Sequence, residues 1–129
     1  METAQTKTSQ TDYLGRVRRA IVIDDDDAVR NLVVRILDDR LKYEVDCYAS
    51  PRSAYERFQL TRENPAYYCI AITDLTMPEM DGLELSRRVK EIIPGLPFIL
   101  MTGNSNGADQ SQFPGNIKAV LFKDRKSVV

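Results

Sequence analysis

Four short apolar runs, each closed by a residue able to do chemistry, constrain this chain more than any other feature. Ala20–Ile23 runs into Asp24-Asp25-Asp26-Asp27, and Tyr68–Thr73 into Asp74. Pro97–Met101 runs into Thr102, and Ala119–Phe122 into Lys123. Runs of this length, rich in Val and Ile, are the pattern of strands buried on both faces. A fifth stretch, Tyr43–Ala49, alternates instead, with Val45, Cys47 and Ala49 against Glu44, Asp46 and Tyr48, as an edge strand does.

The intervening segments have helical signals. Asp26 or Asp27 can cap a helix whose apolar residues Val29, Leu32, Val33, Ile36 and Leu37 fall at i, i+3, i+4, i+7 and i+8. Ser50-Pro51 is an N-cap followed by an N1 proline, opening a helix to about Arg62. Leu83–Ile93 is stopped by Pro94-Gly95. Strands separated by helices pair in parallel through right-handed crossovers, so the fold class is an open α/β sheet with its site at the C-terminal ends of the strands. Asp24 to Asp27, Asp74, Thr102 and Lys123 then converge on one edge although far apart in sequence.

Composition narrows the chemistry. The chain has 129 residues, 43% hydrophobic and 29% charged, with a formal net charge of −1, so no excess of positive charge favours nucleic acid or an anionic membrane. No apolar run reaches the length of about 20 residues that crosses a bilayer, and the polar N-terminus lacks the core of a signal peptide. A cytoplasmic address is expected. There is no histidine. That removes His general bases, zinc sites built on His and a phosphohistidine on this chain. Cys47 and Cys69 lack metal-ligand spacing and read as buried reduced thiols on two strands. Residues 1–18, rich in Thr, Gln and Ser, read as a flexible extension before a single domain over 19–129.

Crowded carboxylates repel one another, and a hard divalent cation relieves them. Magnesium takes oxygen ligands, keeps several waters and pairs with one or two carboxylates plus phosphate. A carboxylate beside it can act as a nucleophile toward a phosphoryl group. Transfer then needs mostly positioning and charge neutralisation, which a lysine and a hydroxyl also supply.

Ile21-Val22-Ile23-Asp24-Asp25-Asp26, Asp74-Leu75-Thr76-Met77-Pro78-Glu79-Met80-Asp81-Gly82, Leu100-Met101-Thr102-Gly103 and Leu121-Phe122-Lys123 together resemble the receiver domains of response regulators. The match covers about residues 19–123. The resemblance implies a flavodoxin-like five-stranded parallel sheet of order 2-1-3-4-5. It implies Asp74 as phosphoacceptor, with Asp25 holding Mg2+ directly, Asp24 largely through water and the backbone carbonyl of Thr76 as a further ligand. Thr102 and Lys123 would meet phosphoryl oxygens. The implied partner is a histidine kinase or histidine phosphotransfer protein, with no turnover of an external substrate. Met77-Pro78 and Asp81-Gly82 would shape the loop after Asp74, while Met77 and Met80 pack.

Three departures stand out. Asp124 replaces the proline that usually follows the lysine, so Lys123 is expected to aim differently. Val120 stands where many family members carry an aromatic. Residues 103–116 are poor helix material, and the six residues after Lys123 are too few for the family's final helix. Without that helix, Phe98, Leu100, Val120 and Phe122 are expected to supply a bare sheet face, covered by a second copy of the chain or by Tyr13, Leu14 and Val17.

Two other readings compete. One is a receiver fold that only binds and is never phosphorylated. The other is a haloacid-dehalogenase-type phosphatase, which Asp24-Asp25-Asp26, Thr102-Gly103-Asn104 and Lys123-Asp124 loosely echo, but which leaves the segment from Asp74 to Gly82 without a role.

Overall fold

Doubly buried strands and amphipathic helices alternate along the chain, and the fold follows from that alternation. A computed structural model of the chain describes residues 17–103, 111 and 113–123. The elements are β1 (Arg19–Ile23), α1 (Asp27–Arg35), β2 (Glu44–Tyr48), α2 (Pro51–Thr61), β3 (Ile70–Asp74), α3 (Gly82–Ile92), β4 (Phe98–Thr102) and β5 (Ile117–Phe122). A wider π-helical turn, Ile36–Arg40, continues α1. All five strands are parallel in the order β2-β1-β3-β4-β5, as expected. Each helix begins on a side-chain cap: Asp26 for α1, Ser50 before Pro51 for α2 and Asp81 for α3.

Two apolar layers sandwich the sheet. On one face Ile21, Ile23, Ala71 and Phe98 pack with Ala54 and Phe58 of α2 and with Leu85 and Val89 of α3. On the other, Ala20, Val22, Ile72 and Met101 pack with Leu37 and with Val29, Val33 and Val34. β1 is the best-covered strand, with Ala20 to Ile23 wholly buried. That rigidity matters, because β1 delivers the acidic run.

Several expectations need correction. Leu32 and Ile36 are 52% and 42% exposed, while Val34, outside the proposed stripe, packs against the cluster that also holds Val29 and Val33. The buried face of α1 is therefore rotated from the proposed stripe. Cys47 is exposed on that edge strand, and Cys69 is half-buried one residue before β3, so neither is a buried strand thiol; both are free. The bare-face set also differs from expectation. Phe98 and Leu100 are fully buried, whereas Leu121 and Phe122 are each 52% exposed. Leu121 aligns with Met101 and Phe122 with Thr102, so they lie on opposite faces. A register shift between Phe98 and Ile99 moves the parity of β5.

No helix follows β5 among the described residues. No described helix is long and apolar enough to cross a membrane. The proposed extension, including Tyr13 and Leu14, lies outside the described residues except for Val17 and Arg18, and so does Asp124.

Candidate functional site

In a sheet of this order the strand order reverses between β1 and β3, opening a crevice at their C-terminal ends. Asp24 follows β1 and Asp74 ends β3, one on each side of it. A cleft of about 370 Å³ is lined there by Asp25, Asp26, Asp74, Thr76, Thr102, Gly103 and Lys123. Asp24 is fully buried behind that lining, with its Oδ2 3.2 Å from Lys123 Nζ. The residues singled out in the sequence thus come together.

The four consecutive aspartates divide their work. Asp24 Oδ1 accepts the Asp26 N–H at 2.9 Å, while Asp24 N–H donates to the Tyr48 carbonyl at 3.1 Å. Asp25 is exposed, its carboxylate turned to the crevice. Asp26 caps α1, accepting from Ala28 and Val29 N–H. Asp27 pairs with Arg30 at 2.6 Å. Carboxylate oxygens of Asp24, Asp25 and Asp74 lie within 4.8 Å of one another. Against them stands Lys123, whose Nζ is 3.0 Å from Asp74 Oδ1 and 3.2 Å from Asp24 Oδ2. Despite the departure at position 124, Lys123 is aimed into the crevice, its N–H held by the Thr102 carbonyl at 2.8 Å.

Three carboxylates and one ammonium leave negative charge uncompensated. Asp24 Oδ2 is buried, with the Lys123 ammonium 3.2 Å away. An all-oxygen donor set with spare negative charge suits a hard divalent cation such as magnesium. Burial pushes the Asp24 carboxyl above its ordinary value; the Asp26 N–H opposes this, the charge of Asp74 adds to it, and Lys123 offsets part. For Lys123, burial pulls downward, but the hydrogen bond to Asp74 and the charges of Asp24 and Asp74 together outweigh it, raising its pKa.

A carboxyl whose pKa rises on folding contributes stability that is complete below its unfolded value and is lost as pH climbs through the folded one. Without metal at neutral pH, ionised Asp24 therefore weakens the fold relative to a neutral amide of the same shape. We expect Asp24→Asn to raise the melting temperature of the metal-free protein at pH 7 by about 4 °C, on the order of 1 kcal/mol. The gain should shrink as pH approaches 4. A lower melting temperature at pH 7, measured by circular dichroism, would contradict this electrostatic account.

The loop after Asp74 is built to fixed dimensions. Leu75 N–H donates to the Met101 carbonyl at 2.7 Å, and Gly82 N–H to the Leu75 carbonyl at 2.8 Å. Met80 N–H reaches the Pro78 carbonyl at 2.8 Å around Glu79, whose φ of 75° is in the left-handed region. Met77 is buried and Met80 packs against the same core, as expected. A Cβ on Gly82 would lie 2.4 Å from the Asp74 carbonyl oxygen, so α3 begins directly against the backbone that carries Asp74. Arg30 carries no role in the sequence reading, and Gly103 appears there only within the run Leu100-Met101-Thr102-Gly103. The spacing of Asp27 and Arg30, three residues apart on a helix, was the available signal for Arg30.

Comparison with known proteins agrees with this geometry. Residues 20–124 match the family model described as the response regulator receiver domain. The response regulator receiver protein CpdR of Brucella abortus (strain 2308) is 39% identical over 87 residues, 67% of this chain and 68% of that protein. The sensor kinase CckA of the same organism is 30% identical over 114 residues, 88% of this chain but only 12% of that much longer protein. Among solved structures, the response regulator protein TrrA of Thermotoga maritima, in complex with Mg(2+)-BeF, superposes with a TM-score of 0.70 at 24% identity. The superposition covers 84% of this chain and 89% of that one, a likeness of fold. TrrA has also been solved in complex with the histidine kinase ThkA, with a TM-score of 0.67, 24% identity and coverage of 84% and 87%.

Proposed function

The chain belongs to the response regulator receiver domain family, and from that starting point we propose that it accepts a phosphoryl group on Asp74 in a magnesium-dependent step of a two-component relay. The observation that carries this reading is the crevice itself: three acidic oxygens within 4.8 Å, with the Lys123 ammonium against Asp74 and Thr102 on the wall. The donor is a phosphorylated imidazole on a histidine kinase or histidine phosphotransfer protein, since this chain has no histidine of its own. Complex formation between TrrA and ThkA supports that class of partner.

An Asp74 carboxylate oxygen forms the new bond to phosphorus as the bond from phosphorus to the imidazole nitrogen breaks. The departing nitrogen keeps the electron pair; with the other ring nitrogen of the phosphohistidine protonated beforehand, the partner histidine leaves as neutral imidazole and this chain holds an acyl phosphate. Asp24, Asp25, Asp74 and the Thr76 carbonyl would hold magnesium, which would neutralise the carboxylates and the incoming phosphoryl oxygens when bound. Lys123 already contacts Asp74 and would move its charge to a phosphoryl oxygen, while the Thr102 hydroxyl donates to another. Later attack by water on phosphorus returns the carboxylate. The chain thus cycles on itself and turns over no external substrate.

The test is uptake from acetyl phosphate, read by intact mass. One phosphoryl group should be gained with magnesium and none with a chelator; no gain with magnesium would contradict the reading. The metal roles have their own test. Asp25→Ala should lose magnesium binding more completely than Asp24→Ala, because a direct ligand is worth more than one acting through water. The chain has no tryptophan, so the titration is followed by amide NMR shifts. Equal losses would overturn that division of roles.

A further inference from the structure

We propose that Arg30 is a positioning residue for the metal-binding acids, acting through the Asp24–Asp25 peptide rather than through its charge. The inference rests on the magnesium reading above. Arg30 leaves the first turns of α1 and comes back over the end of β1. Its Nη1 donates to the Asp24 carbonyl at 2.8 Å, and its Nη2 to Asp27 Oδ1 at 2.6 Å. Its side chain is only 16% exposed, unusual for an arginine on a helix surface. The Arg30 backbone is itself fixed, its N–H donating to the Asp26 carbonyl at 2.9 Å.

Rotation of a single peptide plane sets where two neighbouring carboxylates point. The Asp24 side of this segment is held by its N–H on the Tyr48 carbonyl and by its carboxylate on the Asp26 N–H. The carbonyl that Arg30 grips belongs to the peptide leading into Asp25. Asp25 is exposed, so this grip limits the swing of its carboxylate relative to Asp24 and Asp74. The planar guanidinium suits the task, because two donors on two different acceptors fix its orientation where an ammonium fixes only distance. Through its second donor Arg30 also ties Asp27 to its own side chain.

Two effects of removing Arg30 oppose each other, and their sign separates them. If only its positive charge mattered, its loss beside an acidic crevice would tighten magnesium binding. If it positions Asp25, its loss weakens binding, and groups that orient metal ligands typically account for roughly 10–100-fold in affinity. We expect Arg30→Ala to raise the magnesium dissociation constant about 10-fold in an NMR titration of the protein with magnesium alone. Arg30→Lys and Arg30→Gln, each still able to donate to the Asp24 carbonyl, should recover part of that loss. Arg35→Ala, which removes the same charge from an exposed position on the same helix, should leave the constant unchanged. Arg30→Ala binding as tightly as the wild type or tighter overturns the proposal. Should Arg30→Ala not fold, Arg30→Gln binding more tightly than wild type does the same. A wild type that binds no magnesium overturns the metal reading first and this inference with it, so the two failures are distinguishable.

Discussion

Gly82→Ala should lower the melting temperature by about 10 °C, on the order of 2 kcal/mol, although alanine is the better helix former. Intrinsic propensity points the other way, since replacing glycine inside a helix ordinarily stabilises by about 1 kcal/mol. Geometry decides the sign. The new methyl carbon would stand 2.4 Å from the Asp74 carbonyl oxygen and 3.2 Å from both the Asp74 carbonyl carbon and the Leu75 Cα. All three are backbone atoms, so no side chain can swing aside. Either α3 moves off or the β3 exit moves, and the second displaces Asp74. We therefore expect slower phosphoryl uptake in the folded fraction as well as lost stability. Gly95→Ala is the control, because nothing lies within 4 Å of a Cβ there; it should shift stability by less than about 0.5 kcal/mol. Equal melting temperatures for the two variants would mean that α3 is not seated on the acceptor backbone.

Much of this site could be read from the residues alone, for a physical reason. A strand buried on both faces has little choice of side chain, so Ala20–Ile23 and the run into Asp74 announce themselves. A parallel sheet then gathers the residues just past each strand on one edge. Asp24, Asp74, Thr102 and Lys123 therefore belong together on topology alone. Among Asp24 to Asp27, only the choice of cap between Asp26 and Asp27 stayed open, because it depends on how the backbone enters α1. Cap geometry selected Asp26, which sent Asp25 toward the crevice and left Asp27 for Arg30.

The errors have a common source in rotations and shifts that pattern does not encode. The stripe Val29, Leu32, Val33, Ile36 and Leu37 is a valid helical face, yet α1 rolls so that Val34 packs and Leu32 and Ile36 do not. A period of two assigns faces only while the ladder is regular. The register shift beside Phe98 changes which β5 residues share a face with which β4 residues. Lys123 is the converse case. The residue after it departs from the family pattern, but the bond from its N–H to the Thr102 carbonyl and its two acidic neighbours are enough to aim it.

The central claim is that Asp74 is the phosphoacceptor, and its substitution should have the largest effect of all. Asp74→Asn preserves size and shape while removing the nucleophilic oxygen charge, and Lys123 keeps its contact with Asp24. The variant should therefore fold, with a circular dichroism spectrum like that of the wild type, and take up no phosphoryl group. The deciding measurement is intact and fragment mass spectrometry of both proteins after exposure to acetyl phosphate and magnesium. The predicted result is a single added phosphoryl group, located on Asp74 in the wild type and missing from Asp74→Asn. A wild type of unchanged mass, or a group still gained by Asp74→Asn, would contradict the account.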